Sequence, residues 1–261
     1  MKLYYKVIVL IFLLAATKGY TQLEVSHEFG IFTGPISMQT DYGERHHLPS
    51  SMETSFGVAA VHYLSFYGNN YNWRNGASYF SDHFKLRTEI SYYFNNKLEN
   101  EGRYTDPGST NAEAAALRAM QGATKIFNIG TQLEFYFKNL EDYGLLFNTA
   151  DKFAPYVSLG LQYNSFDAEL TNNGNNLDIS SLPQKYQNDA VFLEPESTFS
   201  LVMGLGTRYK MDTFDLVLDG RWQYFFSDKV DGLDTSGNVG SKFNDTLLFL
   251  SVGIVFNLEG N

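Results

Sequence analysis

Residues 84–94, FKLRTEISYYF, constrain this chain more than any other stretch. Phe84, Leu86, Thr88, Ile90, Tyr92 and Phe94 form one alternate set. Lys85, Arg87, Glu89, Ser91 and Tyr93 form the other. Successive side chains of a strand point to opposite faces, so one face of this strand is apolar and the other carries fixed charge. Two kinds of protein suit such a strand. A soluble sheet buries the apolar face and wets the charged one, whereas a membrane barrel turns the apolar face to lipid and the polar one inward.

The same alternation recurs along the chain. Residues 125–137 set Phe127, Ile129, Thr131, Leu133, Phe135 and Phe137 against Ile126, Asn128, Gly130, Gln132, Glu134 and Tyr136. Residues 156–164 set Val157, Leu159, Leu161 and Tyr163 against small and amide residues. Residues 199–209 set Phe199, Leu201, Met203, Leu205, Thr207 and Tyr209 against a face that ends in Arg208. Residues 216–226 place Asp219, Arg221 and Gln223 opposite Leu216, Leu218, Trp222 and Tyr224. Residues 247–258 are apolar on one face and mixed on the other, and residues 25–36 and 56–66 are less regular but bounded by turn residues. Together these are eight candidate strands, an even number suited to a closed antiparallel barrel.

Charge placement favours the membrane. In the well-patterned runs Lys, Arg, Asp and Glu fall outside the apolar sets, and an exposed cation at the bilayer midplane costs about 2–4 kcal/mol. Alternation alone fits a soluble ligand-binding barrel too. Three further features separate the two. The polar set is rich in Gly, Ser, Asn and Gln, which fit a narrow lumen. Aromatic clusters at Tyr92–Tyr93–Phe94, Phe135–Tyr136–Phe137 and Tyr224–Phe225–Phe226 fall where two interfacial girdles would lie. Connection lengths also alternate in part: residues 39–55, 95–124, 168–197 and 227–245 are long, and 211–214 is very short. Residues 67–83 and 138–153 are long for the turns on the short-loop side. The expectation is an all-β, transmembrane antiparallel β-barrel of about eight strands with long extracellular loops.

The chain begins with Lys2 and Lys6, an apolar stretch at residues 7–16, and small residues at Gly19 and Thr21. This is the pattern of a secretory signal, too short for a membrane span. The expected division is a signal peptide at residues 1–21 and one outer-membrane barrel domain at 22–261, placing the mature protein in the cell outer membrane. Loss of Lys2, Lys6 and Lys18 with the signal takes the formal charge from -10 to about -13. Such an acidic chain is a poor partner for nucleic acid. There is no Cys, hence neither a disulfide framework nor a lipid-anchored cysteine.

Chemical motifs are sparse. No GxSxG, P-loop or zinc pattern occurs, and the five His residues lack metal-site spacing. His46 and His47 beside Glu44 read as a solvated loop. His27 and His62 fall in strands, but nothing marks a Ser partner for lipid hydrolysis. Neither enzyme activity nor a cofactor is expected. Lys85, Arg87, Glu89, Glu134, Arg208, Asp219 and Arg221 would face the lumen. An eight-stranded barrel is only wide enough for side chains, and buried charges must be paired, so a structural charge network is preferred to an ion path. Residues 111–121, NAEAAALRAMQ, predict a short helix over the barrel mouth with Leu117 and Met120 on one face.

Four segments resemble a known family: LRAMQGATKIFNIGTQLEFYF at 117–137, FAPYVSLG at 153–160, GLGTRYK at 204–210 and RWQYFFSDKVDGL at 221–233. They are similar to the small Bacteroidota outer-membrane barrels related to PorG, which are associated with type IX secretion and gliding. Weaker similarity covers residues 28–43. The family's Gly-Asp-Leu turn after the first strand is replaced here by TDYGER at 40–45, so a paralogous barrel of the same group is expected. The resemblance implies an eight-stranded barrel and contact with periplasmic secretion-machinery proteins. The expected role is non-enzymatic and structural or interactive, a monomeric barrel in outer-membrane lipid serving as anchor or accessory of a secretion or gliding complex. The alternative is a small transport or lipid-active barrel.

Overall fold

A computed structural model describes residues 25–42, 53–66, 78–140, 152–172, 179–187, 190–234 and 244–258. The expected signal segment and the His46–His47 pair lie outside these residues, as do most of 67–83 and 138–153. Eight strands run in sequence order around a closed barrel: β1 (Ser26–Gln39), β2 (Glu53–Ser65), β3 (Phe84–Glu99), β4 (Met120–Tyr136), β5 (Phe153–Asn172), β6 (Glu196–Lys210), β7 (Asp215–Phe225) and β8 (Thr246–Asn257). Every neighbouring pair is antiparallel, and β1 closes on β8 through pairs such as Phe29↔Phe256. Closure leaves no sheet edge around the barrel's girth. Gly34 and Pro35 are skipped in the β1–β8 ladder, and Pro has no N–H to donate there.

The barrel is inside out by the standard of a soluble protein. Leu159, Leu161, Leu205, Leu218, Leu250 and Val252 project outward and are exposed. Arg87, Arg208, Arg221, Glu89, Glu134 and Asp219 are buried inside. Water would penalise the first set and the second would be lost on an exterior face, so the exterior is built for lipid. Among the described residues no helix is long and apolar enough to cross a membrane. The crossing is made by strands.

Two aromatic belts bound the apolar band. At the end that carries both termini, Phe84 packs on Phe135 with ring centroids 5.2 Å apart, Phe153 on Tyr209 at 4.9 Å and Phe214 near Phe256 at 6.1 Å. At the opposite end Tyr92 meets Phe94 at 4.9 Å, Tyr163 meets Phe199 at 5.4 Å and Tyr224 meets Phe226 at 6.1 Å. Along β5 the band runs from Phe153 to Tyr163. That distance is about 34 Å at ~3.4 Å per residue, or about 25 Å of height after a tilt of ~40°. Beyond it the outward residues of β5 become Ser165, Asp167 and Glu169.

Several strands are longer than alternation predicts. β5 continues to Asn172, and β3 and β4 continue to Glu99 and back from Met120, so these three strands rise beyond the band as a polar fin. Tyr92–Phe94 therefore marks the belt but not the strand end, which lies past a register shift between Tyr93 and Asn96. Lys125 is a further correction. It shares the outward parity of Phe127, against the expectation that no charge falls in an apolar set, and pairs with Glu169 at 2.7 Å. The pair sits on the fin, above the lipid, where a cation costs little.

The two ends differ. At the termini end, the connection between β2 and β3 holds a five-residue helix, α1 (Tyr79–His83), whose Tyr79 and Phe80 are exposed. The turn between β6 and β7 is short, closed by Met211 N–H donating to Phe214 O at 2.9 Å. At the other end, long connections fold into a cap. The predicted helix is α2 (Ala112–Ala119), with Asn111 as N-cap accepting from Glu113 N at 3.1 Å. It stops one residue before Met120, whose extended backbone starts β4 and whose side chain joins the buried core. Met120 thus leaves the helical face expected for it, while Leu117 does pack against the core.

Candidate functional site: the lumen and its cap

Large side chains fill the lumen in three levels. Nearest the termini end, Glu28 accepts from Lys85 Nζ at 2.6 Å and from Arg208 Nη1 at 2.6 Å. Asp215 lies 3.5 Å from the same Arg208 nitrogen. The Arg208 guanidinium covers the Tyr63 ring at 4.2 Å.

The middle level is organised by Arg87, which is fully buried. It donates to Asp219 Oδ1 at 2.7 Å, to Glu89 Oε2 at 2.8 Å and to Glu134 Oε1 at 3.4 Å. Glu89 also accepts from Arg221 Nη1, and Arg221 Nε lies 3.5 Å from Asp219. Tyr136 Oη donates to Glu134 Oε2 at 2.5 Å. Both guanidinium groups of this level lie over rings, Arg87 over Phe32 and Arg221 over Phe249, each at 4.7 Å. Such stacking suits Arg, whose planar, weakly hydrated head tolerates burial better than an ammonium.

The third level is uncharged. Gln223 Nε2 donates to Asn164 Oδ1 at 2.7 Å and to Ser200 Oγ at 2.9 Å. Asn164 Nδ2 donates to Ser200 Oγ at 3.0 Å, and Asn128 Nδ2 to Ser91 Oγ at 3.2 Å. Inward glycines make room for the larger groups. A Cβ on Gly253 would stand 2.5 Å from the Phe32 ring, and one on Gly206 2.5 Å from the end of Tyr156.

All seven residues expected in the lumen point inward, and all seven enter ion pairs with one another or with Glu28. Sequence reasoning missed Glu28, which holds two cations, and Asp215. The signal for Glu28 was present: it shares parity with Gly30, Phe32 and Ile36, opposite Phe29 and Ile31. The irregular pattern of that run obscured it. The strand histidines pair with each other on the outward face, His27 Nδ1 lying 3.0 Å from His62 Nε2. Among the described residues no three His, Cys, Asp or Glu side chains converge as metal ligands.

The cap extends the buried core to the loop end. Tyr42, Leu182, Tyr186, Ala190, Val230 and Leu233 are buried together. Backbone bonds join the connections: Phe192 N–H donates to Gly232 O and Asp234 N–H to Ala190 O, both at 2.9 Å. Gly232 has φ of 85°, a left-handed conformation open mainly to glycine. Asp231 accepts from Asp41 N at 3.0 Å and Leu233 N at 2.8 Å, and Asp245 accepts from Val230 N at 3.0 Å. Burial raises both carboxyls well above the usual range, and nearby Asp41 and Asp228 add to the shift.

No family model matches the sequence, and no curated protein matches it. Solved structures do resemble it. The chain is 12% identical to a major outer membrane protein from Thermus thermophilus, covering 90% of this chain and 99% of that one, with a TM-score of 0.49. It is 11% identical to Ail, the attachment invasion locus protein of Yersinia pestis, over 90% and 99% of the two chains, with a TM-score of 0.43. The N-terminal β-barrel domain of Pseudomonas aeruginosa OprF is 10% identical over 90% and 100%, with a TM-score of 0.37.

Proposed function

We propose that this protein is a non-enzymatic outer-membrane barrel that acts through its two ends rather than through its lumen. The observation that carries the reading is the lumen itself, where Arg87, Arg221, Arg208 and Lys85 are neutralised by Glu89, Asp219, Glu134 and Glu28 among rings and amides. Charges tied in this way act as packing, so the network is structural. The chain enters the outer membrane after removal of residues 1–21, with residues 22–261 forming one barrel domain. Its self-closed sheet needs no second copy, which supports a monomer surrounded by outer-membrane lipid. The polar fin and cap face outward and the termini face the periplasm, following the short turn between β6 and β7.

The periplasmic end provides the anchoring surface. The β2–β3 and β4–β5 connections are long for periplasmic turns, and α1 displays Tyr79 and Phe80 there. Together with the resemblance to PorG-like barrels, this supports a role as anchor or accessory of a type IX secretion or gliding complex. Affinity recovery from detergent-solubilised membranes tests it. Replacing residues 67–77 or 141–151 by short Gly-Ser turns is expected to abolish co-recovery of periplasmic machinery proteins while the barrel stays folded. Unchanged recovery from both variants contradicts anchoring.

A further inference from the structure

His27 and His62 stand on the outer wall of the barrel, on the neighbouring strands β1 and β2. His27 lies across from Leu64 and His62 across from Phe29, so the two are diagonal neighbours on one face. His27 Nδ1 and His62 Nε2 are 3.0 Å apart. The ring centroids are 5.2 Å apart and the planes differ by 26°, so the rings meet edge to edge and one donates its N–H to the other. Among the described residues neither ring has a further partner. The third described histidine differs, since His83 Nδ1 donates to Tyr136 O at 2.9 Å. The barrel holds the pair in place. The β1–β2 ladder runs unbroken from Ser26↔Ser65 to Met38↔Glu53. On the other side of β1, Leu258 N–H donates to His27 O at 2.9 Å. The outward ladder neighbours of the pair are Phe29, Leu64 and Thr88, so no cation among them opposes a bound metal ion.

We propose that this pair binds one divalent late transition-metal ion, Cu2+ or Ni2+, on the outer wall at the termini end. Two metal–nitrogen bonds of about 2.0–2.1 Å meeting at about 90° hold their nitrogens about 2.9 Å apart, whereas a tetrahedral angle needs about 3.3 Å. The 3.0 Å separation of His27 Nδ1 and His62 Nε2 matches the first, the arrangement of adjacent ligands around tetragonal Cu2+ or Ni2+. Binding takes a small turn of each ring, which aims both lone pairs at one point. The proton between the rings moves to the far nitrogen of the ring that carries it. Both imidazoles stay neutral, and no bond other than the two to metal is made. His27 is exposed, so water completes the coordination shell. Ca2+ and Mg2+ fit poorly because they take oxygen ligands. A bound ion would fasten β1 to β2 through residues 35 positions apart in the chain. The site depends on neither the lumen network nor the anchoring role.

Cu2+ titration of the protein refolded in detergent micelles without an affinity tag, read by electron paramagnetic resonance, tests the proposal. It is made on the wild type and on His46→Ala/His47→Ala, which removes the adjacent loop pair. Both are expected to show a copper signal with two imidazole nitrogens. Adding His27→Ala or His62→Ala to the loop variant should abolish the two-nitrogen signal. Affinity should fall by about tenfold or more, because the second imidazole no longer binds intramolecularly. Both substituted side chains are on the outer face, and gel mobility before and after heating confirms that each variant is folded. Absence of a two-imidazole signal in His46→Ala/His47→Ala overturns the proposal. So does a signal and affinity left unchanged by His27→Ala or by His62→Ala.

Discussion

In the lumen, Glu89 and Asp219 each lie within reach of two guanidinium groups. In the cap, among the described residues, Asp231 and Asp245 are held by backbone N–H groups alone. Both regions exclude water from carboxylates. The lumen does so by supplying opposite charge, and the cap does so with burial that raises both carboxyls towards the protonated form. Charge therefore supports the lumen and works against the cap. Removing a partner and changing the pH separate the two.

The largest effect is expected from Arg87→Met. It takes from Glu134 its ion pair and leaves Glu89 and Asp219 to Arg221 alone, and breaking a buried network from one side costs about 3–5 kcal/mol. Urea unfolding in micelles, read by gel mobility, measures it. Recovery of most of that loss in the Arg87→Met/Asp219→Asn double variant would sharpen the case for charge imbalance over lost packing. Next comes Gly253→Ala. Its methyl would press on the Phe32 ring, on which Arg87 rests, and overpacking of this kind costs about 1–3 kcal/mol. The same unfolding assay reads it, and a neutral result would mean that the lumen has slack.

The pH experiment addresses the cap. A carboxyl whose folded pKa is raised binds its proton more tightly when folded. Its contribution is fully present below the unfolded value of about 3.9 and is lost as pH rises through the raised folded value. Asp231 and Asp245 are both raised, so the cap should loosen on going from acid towards alkaline pH. Hydrogen exchange of the Val230 and Leu233 amides, followed across that range, should show protection falling as pH rises, after correction for intrinsic exchange. Asp245→Asn keeps an oxygen for Val230 N–H and should flatten that dependence. The opposite trend, with protection rising with pH, would break the comparison. The smallest effect belongs to Lys125→Ala, because the Lys125–Glu169 pair is 39% and 56% exposed. Little or no change is expected in the urea assay, since an exposed pair is screened by solvent and salt.

The barrel itself was legible because parity survives in most of the membrane-crossing strands. A lipid-facing residue cannot carry a charge whatever its neighbours do, so FKLRTEISYYF states its two faces unaided. The fin was harder. Above the lipid the outward face of β3, β4 and β5 meets water and the inward face buries Leu98, Met120, Phe166 and Leu170, so the pattern inverts, and Lys125, Asp167 and Glu169 appear with outward parity. Length therefore could not be read where the apolar set changes face. The lumen's cations could be placed by parity, but their pairing depends on residues as far apart as Arg87 and Asp219, which are brought together only by closure. The cap is less legible still. Asp41, Asp231 and Asp245 come from two connections with no local pattern, and their shared burial is a product of loop packing.

The filled, self-neutralised lumen is the central claim, and ion conductance tests it most directly. The full chain, folded and inserted into planar lipid bilayers, should give no resolved current steps under an applied potential. Stable, uniform conductance steps from the folded wild-type protein would mean a continuous water path past Arg87 and Asp219, and would contradict the account.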